Sequence, residues 1–206
     1  MKKIILSQIL LLSVVIATAQ VRTGIGAGLN LSTISINEPG ASVTPDNMTG
    51  FKGYVFFEGT ISKSFFIQPE FSYEGMGWKY TGEDPFNGGN NATVKNRMNY
   101  LLLTVLLKYK FENTGFALGV GPAYGLLLSA KSKGYQGTET DTKDAYTGDN
   151  FAVIPYAEYF FPIGIGITAR YFGGIKNIAK DHEDGESVHM HGFSFTVAYL
   201  FGGGHK

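Results

Sequence analysis

The chain contains no cysteine, which excludes disulfide bonds, thiolate metal sites and a lipid-modified N-terminal cysteine. Charge is scarce as well: charged residues make up 17% of the chain and the formal net charge is zero, so nothing electrostatic favours a nucleic-acid partner. Beyond Gln20 no run of 18 apolar residues occurs, and no transmembrane helix is expected. The chain is rich instead in glycine, with 28 copies, and in aromatic residues, with 16 Phe and 12 Tyr. This composition favours many short strands joined by tight turns.

The first twenty residues have the pattern of a secretory signal peptide. Lys2 and Lys3 give a basic start, a short apolar run follows, and Ala17-Thr18-Ala19 supplies a small-x-small cleavage pattern. A membrane-anchoring helix needs about 20 apolar residues, more than this run provides. We therefore predict a signal peptide over residues 1–19, which exports the chain to the cell outer membrane, and a single β-barrel domain over residues 20–206.

Eight segments of the mature chain alternate apolar with small or polar residues at period two, the pattern of a strand with two unlike faces. Their apolar positions include, in chain order, Leu29, Val55, Phe71, Leu103, Leu118, Val153, Ile167 and Phe195. Each segment has about ten residues, which is the length of a tilted membrane-spanning strand. The pattern predicts eight such strands.

The connections between these segments alternate in length. Long polar stretches at 32–49, 79–98, 131–149 and 178–187 are separated by short links around residues 62–64, 112–114 and 162. This alternation places every long loop at one end of an up-and-down arrangement. We therefore predict an all-β fold: an eight-stranded antiparallel transmembrane barrel with long external loops, short periplasmic turns and both termini on the periplasmic side.

The two faces of the strands differ in charge. The apolar face carries none, whereas the other face is mostly Gly, Ala, Ser and Thr with four basic and four acidic residues. These are Arg22, Lys52, Glu58, Glu70, Glu74, Lys108, Glu158 and Arg170. A soluble barrel would turn its apolar face inward, but sparse, balanced charges suit a narrow lumen in which ions pair. Aromatic residues near both strand ends suit two membrane interfaces. We predict that the apolar face meets lipid and that the eight ions form a structural network in the lumen.

Three prolines interrupt the scheme. Pro69, Pro122 and Pro155 fall on the outward side inside strands, where each removes a hydrogen-bond donor from the ladder. A closed barrel has no free edge to accommodate them. Bulges or unpaired positions are expected beside each one.

Several segments resemble a known family of membrane barrels. Residues 167–178, with Arg170-Tyr171 followed by Gly173-Gly174 and Asn177-Ile178, resemble a strand pattern of the outer-membrane β-barrel family typified by PorT-like proteins, eight-stranded barrels of the OmpA/OmpX type. Residues 68–73 are similar to its Gln-Pro-Glu-apolar-x-Tyr strand, and residues 100–109 to another strand in which Thr104 replaces the usual Pro. The resemblance implies outer-membrane lipid as surroundings. It also implies assembly by barrel-insertion machinery that reads a terminal aromatic, here Phe201, and association with surface proteins or a secretion or gliding apparatus.

Candidate chemistry is confined to the last strand. His189 and His191 lie on one side of it, near the acidic residues of the preceding loop, and imidazole with carboxylate suits Zn or Cu. Ser187 with His189 and Asp184 is the one cluster that could be a catalytic triad. Ordinary solvated loop residues are the simpler explanation of both groups. We therefore predict no catalytic residue, no cofactor and no metal, with His189 and His191 as weak metal candidates.

The sequence predicts a non-enzymatic protein that acts structurally or through contacts made by its external loops. Aromatic residues in the polar loops are candidate contact points: Tyr80, Phe86, Tyr135 and Tyr146. Two alternatives stay open: a lipid-modifying enzyme of the outer membrane, and a PorT-like component of a secretion or gliding apparatus. A pore is disfavoured, because eight strands leave no aqueous channel.

Overall fold

A computed structural model describes residues 21–38, 41–43, 45–83, 91–134, 137–180 and 186–202. The predicted signal peptide, residues 1–19, lies outside these ranges. Within them the secondary structure consists of ten strands and one 3₁₀ helix, Lys143–Ala145. The strands are β1 (Arg22–Glu38), β2 (Ala41–Val43), β3 (Asp46–Thr60), β4 (Phe65–Glu83), β5 (Asn91–Lys110), β6 (Phe116–Lys133), β7 (Glu139–Asp141), β8 (Asp149–Phe160), β9 (Ile165–Gly174) and β10 (Ser187–Leu200).

Eight of these strands form a closed ring. Their order is β10-β9-β8-β6-β5-β4-β3-β1, every pairing is antiparallel, and β10 pairs with β1 from Gly24↔Leu200 to Asn37↔Ser187. The two short strands are not members of the ring: β2 pairs with β1, and β7 pairs with β6. Among the described residues, closure gives each of the eight strands a neighbour on both sides, which is what a sheet surrounded by lipid requires. The predicted eight-stranded up-and-down barrel is confirmed.

The strands are longer than the alternation predicts at the long-loop end of the barrel. β4 and β5 stay paired as far as Glu83↔Asn91, so residues 79–83 and 91–98, expected in a loop, continue the two strands. Most of their side chains are polar, because this part of the hairpin extends past the apolar band. The few apolar residues do not alternate regularly, so period-two hydrophobicity gives no signal there. Pairing between β4 and β5 nevertheless continues along the whole hairpin and satisfies the backbone groups that these two strands turn towards each other.

The apolar face of the strands points outward, as predicted. Leu103, Ile167 and Val197 are 42%, 53% and 59% exposed, whereas Glu70 and Lys108 on the opposite face are fully buried. Charges inside and exposed Leu, Ile, Val and Phe all around reverse the usual arrangement of a soluble protein. An exposed apolar band of this size marks a surface that contacts lipid.

The three strand prolines leave gaps in the pairing without moving the register. Beside Pro69, Pro122 and Pro155 the ladder on one side skips two positions and resumes in the same alignment. The other side of each proline stays paired. Opposite one gap the strands lie very close, since a Cβ added to Gly121 would stand 1.9 Å from the carbonyl oxygen of Val105. The prolines therefore produce unpaired positions, whereas the register shifts lie further along β3 and β5.

Candidate functional site

The lumen of the barrel is filled by side chains along its described length. One apolar cluster occupies the part nearer the long loops, and its largest members are Met76, Met98, Tyr100, Leu102, Leu106, Ile154, Tyr156, Phe172, Ile178 and Met190. A second, smaller cluster near the short turns consists of Tyr54, Phe56, Phe160, Ala198 and Leu200. Sequence alternation placed Tyr54, Phe56, Tyr156 and Ala198 on the inward face. The other members were not assigned to it, and the lumen is more apolar than the predicted lining of small and polar residues. The ionic side chains lie among and between the two clusters.

Lys108 is the centre of the first ionic group. Its Nζ atom lies 2.5 Å from a carboxylate oxygen of Glu58 and 2.7 Å from one of Glu158, and it also donates to the amide oxygen of Gln68. The Glu58 carboxylate also accepts hydrogen bonds from Lys110 Nζ, over 2.7 Å, and from Arg22 Nη2. Lys108, Glu58 and Glu158 are each buried almost completely.

Gln68 links the first group to a second one around Arg170. The Gln68 amide donates to Glu70 over 2.6 Å, and Arg170 Nη1 donates to the other oxygen of the same carboxylate over 2.5 Å. The guanidinium carbon lies 4.8 Å from the ring centre of Tyr54 and 4.7 Å from that of Tyr156. Two ring faces thus compensate a cation whose Nε and Nη2 atoms have no hydrogen-bond acceptor among the described residues.

A third group joins Lys52 to Glu74. The carboxylate accepts from the Lys52 ammonium, from Ser72 Oγ over 2.9 Å and from Asn30 Nδ2 over 3.3 Å. Asn30 accepts in turn from Ser194 Oγ over 2.6 Å, which ties β10 to this group. In this way every carboxylate of the lumen has at least one cation as its partner.

The structure places all eight charged residues of the predicted lumen network inside the barrel, and it adds Lys110. Lys110 shares the inward face with Lys108 two positions earlier, so its parity alone could have identified it. It was not included in the prediction because it is the last residue of β5, beside a short turn. We propose that this network, from here on the lumen ion network (Arg22, Lys52, Glu58, Glu70, Glu74, Lys108, Lys110, Glu158 and Arg170), is structural. Buried ions are tolerated only when each is paired, and removing one partner is expected to destabilise the barrel.

The candidate residues on β10 face the outside of the barrel. His189 and His191 alternate with the buried Met190, so their imidazoles leave the strand on the outer surface. In the described part of the chain no group of three or more potential ligands is placed to hold a metal ion. The acidic residues of the preceding loop, including Asp184, lie outside the described residues. Ser187 Oγ accepts a hydrogen bond from Asn37 Nδ2 over 3.5 Å, whereas Nδ1 of His189 has no hydrogen-bond partner among the described residues.

The candidate contact aromatics divide into two kinds. Tyr80 is 52% exposed near the end of β4. Tyr146, by contrast, packs against the apolar cluster nearer the long loops, and its backbone forms an antiparallel β-bridge with Ala179. Burial raises the pKa of its hydroxyl. Tyr146 therefore covers the mouth of the barrel and does not project toward a partner. Phe86 and Tyr135 lie outside the described residues.

Comparison with known proteins identifies one family and several similar folds. The outer membrane protein β-barrel domain family matches residues 17–180. Among solved structures, Neisserial surface protein A shares 11% sequence identity, with 88% of this chain and 97% of that chain covered and a TM-score of 0.53. No curated protein sequence matches the chain. Within the described residues no helix is long and apolar enough to cross a membrane.

Two other solved structures align over similar lengths with lower scores. Ail of Yersinia pestis, solved in complex with the heparin analogue sucrose octasulfate, shares 14% identity, with 88% of this chain and 99% of that chain covered and a TM-score of 0.46. The outer membrane protease OmpT of Escherichia coli shares 11% identity, with 89% and 98% covered and a TM-score of 0.44. At these identities the likeness concerns the fold alone.

Proposed function

Because the chain belongs to the outer membrane protein β-barrel domain family, we propose that it is a non-enzymatic outer-membrane protein that acts through contacts made by its external end. Family membership gives the location in the outer membrane. By the usual asymmetry of such barrels, the short turns face the periplasm and the long-loop end faces outward. Export by the signal peptide over residues 1–19, and assembly by barrel-insertion machinery that reads Phe201, belong to the same proposal.

The filled lumen supports a role outside the barrel wall. The lumen ion network and two apolar clusters occupy the interior, and eight strands enclose only enough space for side chains. Solute passage through the barrel would require most of these buried contacts to break. A transport function is therefore disfavoured.

The extension of β4 and β5 beyond the lipid-facing band is the observation that carries the proposal. The two strands are 19 and 20 residues long, about twice what a tilted strand needs to cross a membrane, and they are paired to Glu83↔Asn91. A paired hairpin holds its side chains in fixed positions, which lowers the entropic cost of binding a partner. Tyr80 is a large, exposed amphipathic side chain on this hairpin, of the kind enriched at interaction sites.

Site-specific photo-crosslinking in intact cells tests this proposal. A photoreactive amino acid replaces Tyr80 on the external hairpin, and in a second strain it replaces Asn113 in the short turn between β5 and β6. We expect adducts at Tyr80 and few or none at Asn113. Adducts confined to Asn113 would contradict contact through the external end and favour a periplasmic apparatus partner.

The two alternatives rest on narrower observations. Ser187 and His189 share the outer face of β10, two positions apart, at the end of the strand nearer the long loops, and a lipid-modifying enzyme would need such groups on its outer face. Loss of a lipid-modifying activity in Ser187→Ala and His189→Ala would favour the enzyme. The secretion or gliding component rests on the PorT-like strand motifs, and co-purification with periplasmic or membrane partners would favour it.

A further inference from the structure

A group of cations covers the outer wall of the barrel just beyond its lipid-facing band. Lys79, Lys95 and Lys133 lie directly opposite one another on β4, β5 and β6, and Arg97 lies opposite Lys131 in the next row. Side chains directly opposite on neighbouring strands project to the same face. These five residues, which we term the basic face, therefore form one continuous patch across three strands.

The patch projects away from the lumen. Met98 and Asn96 alternate with Arg97 and Lys95 on β5 and are buried, and Ala130 precedes Lys131 and is buried as well. Lys95, Arg97, Lys131 and Lys133 are exposed. The basic face thus continues the same outer surface as Leu101, Leu126 and Leu128, which are exposed apolar residues of the band.

The depth of the basic face corresponds to the headgroup layer of a membrane. From Tyr109 to Leu101 the eight steps of β5 rise about 21 Å along the membrane normal, for about 3.4 Å per residue and a tilt of about 40°. Arg97 lies four residues further, about 10 Å higher, and the row of Lys95 lies two residues beyond Arg97, about 5 Å higher again. Because the apolar band of such barrels is about 25 Å tall, its upper limit falls between Leu101 and Arg97. Long basic side chains at this level reach headgroups and not hydrocarbon.

Acidic residues border the basic face but do not neutralise its centre. Asp46 pairs with Lys79 at one margin, and Glu139 and Asp141 of β7 lie at the other. Glu139 binds Lys131 at 2.6 Å, and Lys131, Lys133 and Arg97 together lower the pKa of its carboxyl. No salt bridge is formed by Lys95, Arg97 or Lys133 within the described residues, although Lys95 and Lys133 face each other directly.

Like charges directly opposite each other across a sheet are destabilising, so a row of three lysines indicates an anionic counterpart. A phosphate group carries up to two negative charges and accepts several hydrogen bonds from Lys and Arg. At this depth, and on a surface continuous with the apolar band, phosphate is supplied by the headgroup of a lipid whose acyl chains lie against Leu101, Leu126 and Leu128. We propose that the basic face is a binding site for a phosphate-bearing lipid headgroup of the outer leaflet. This site requires only the membrane location and does not depend on the proposed contacts of Tyr80.

Lipid binding to the refolded mature protein tests the proposal. The mature chain, held in micelles of a neutral detergent, is titrated with fluorescent diphosphorylated lipid A, with phosphatidylcholine of matched chain length in a second arm. We expect saturable binding of lipid A and none of phosphatidylcholine. In the variant Lys95→Gln/Lys133→Gln the apparent Kd should rise about 25-fold, since each cation at an anionic lipid surface contributes roughly fivefold. Heat-modifiable gel mobility establishes that each variant is folded.

Two further variants separate a site from a general charge effect. Lys63→Gln/Lys180→Gln removes the same charge from exposed positions away from the basic face and should change the Kd less than twofold. Glu139→Gln removes the bordering carboxylate and should tighten binding. Equal weakening by both double variants, or no weakening by Lys95→Gln/Lys133→Gln, would overturn the proposal. Competition by millimolar inorganic phosphate as effective as that by unlabelled lipid A would also overturn it, because the site would then bind free anions.

Discussion

Removing Lys108 should destabilise the barrel more than any change of an exposed ion. Its ammonium lies 2.5 Å from Glu58 and 2.7 Å from Glu158, and all three groups are buried. In the variant Lys108→Met, Glu58 keeps Lys110 and Arg22, but Glu158 keeps only the hydroxyl of Tyr156. Deleting one partner of a buried pair costs about 3–5 kcal/mol, because the remaining charge has no counterion. We expect a loss of this size in the free energy of unfolding.

Urea unfolding of protein refolded into lipid vesicles measures this loss, and two further variants serve as controls. Lys131→Met breaks the exposed pair with Glu139, in which both side chains are about half exposed, and should change the free energy far less. Lys108→Met/Glu158→Gln removes both charges and should recover a large part of the lost stability. If Lys108→Met lowers the midpoint no more than Lys131→Met, the interior carboxylates do not need their cations, and the reasoning on the lumen ion network is refuted.

Two substitutions and one conductance measurement test separate parts of the structure. Ile167→Lys places a charge on the lipid-facing band and should cost about 2–4 kcal/mol of folding free energy in vesicles. The control Tyr80→Lys lies beyond the band and should cost under about 0.5 kcal/mol. Equal losses would contradict the assigned faces. Gly121→Val introduces a Cβ 1.9 Å from the carbonyl oxygen of Val105 and should destabilise the barrel by at least about 1–3 kcal/mol in the same assay. An unchanged free energy of unfolding would mean that the two strands separate easily there. The refolded protein should show no stepwise ion conductance in planar bilayers, because its lumen is filled; regular single-channel steps would disprove that packing.

Period-two alternation predicted the barrel and its faces well, because a membrane strand must separate lipid-facing from interior side chains at every position. The inward parity of Lys52, Glu70 and Arg170 followed from that separation alone. Connection lengths then determined the order of the strands, since short links permit only antiparallel neighbours.

The features that alternation missed arise where the apolar signal ends or where packing decides. Beyond the band β4 and β5 carry few apolar residues, with no regular alternation, so the paired extension to Glu83↔Asn91 had no period-two signature. Met98 lies in this extension on the inward side, and Met76 lies just before it, so the apolar cluster nearer the long loops was underestimated. Tyr146 could not be assigned from sequence, because its burial depends on a bridge to Ala179 in a distant loop.

Site-directed spin labelling tests the central claim most directly, namely that apolar side chains face lipid while the charged side chains are enclosed in the lumen. The chain has no native cysteine, so Leu103→Cys, Ile167→Cys and Val197→Cys each give a single label without background. In vesicles, all three labels should be mobile and readily accessible to oxygen dissolved in the bilayer, and poorly accessible to a water-soluble nickel chelate. Labels that are immobile and shielded from both reagents would mean that these side chains pack against one another in a dry core, which contradicts the membrane barrel.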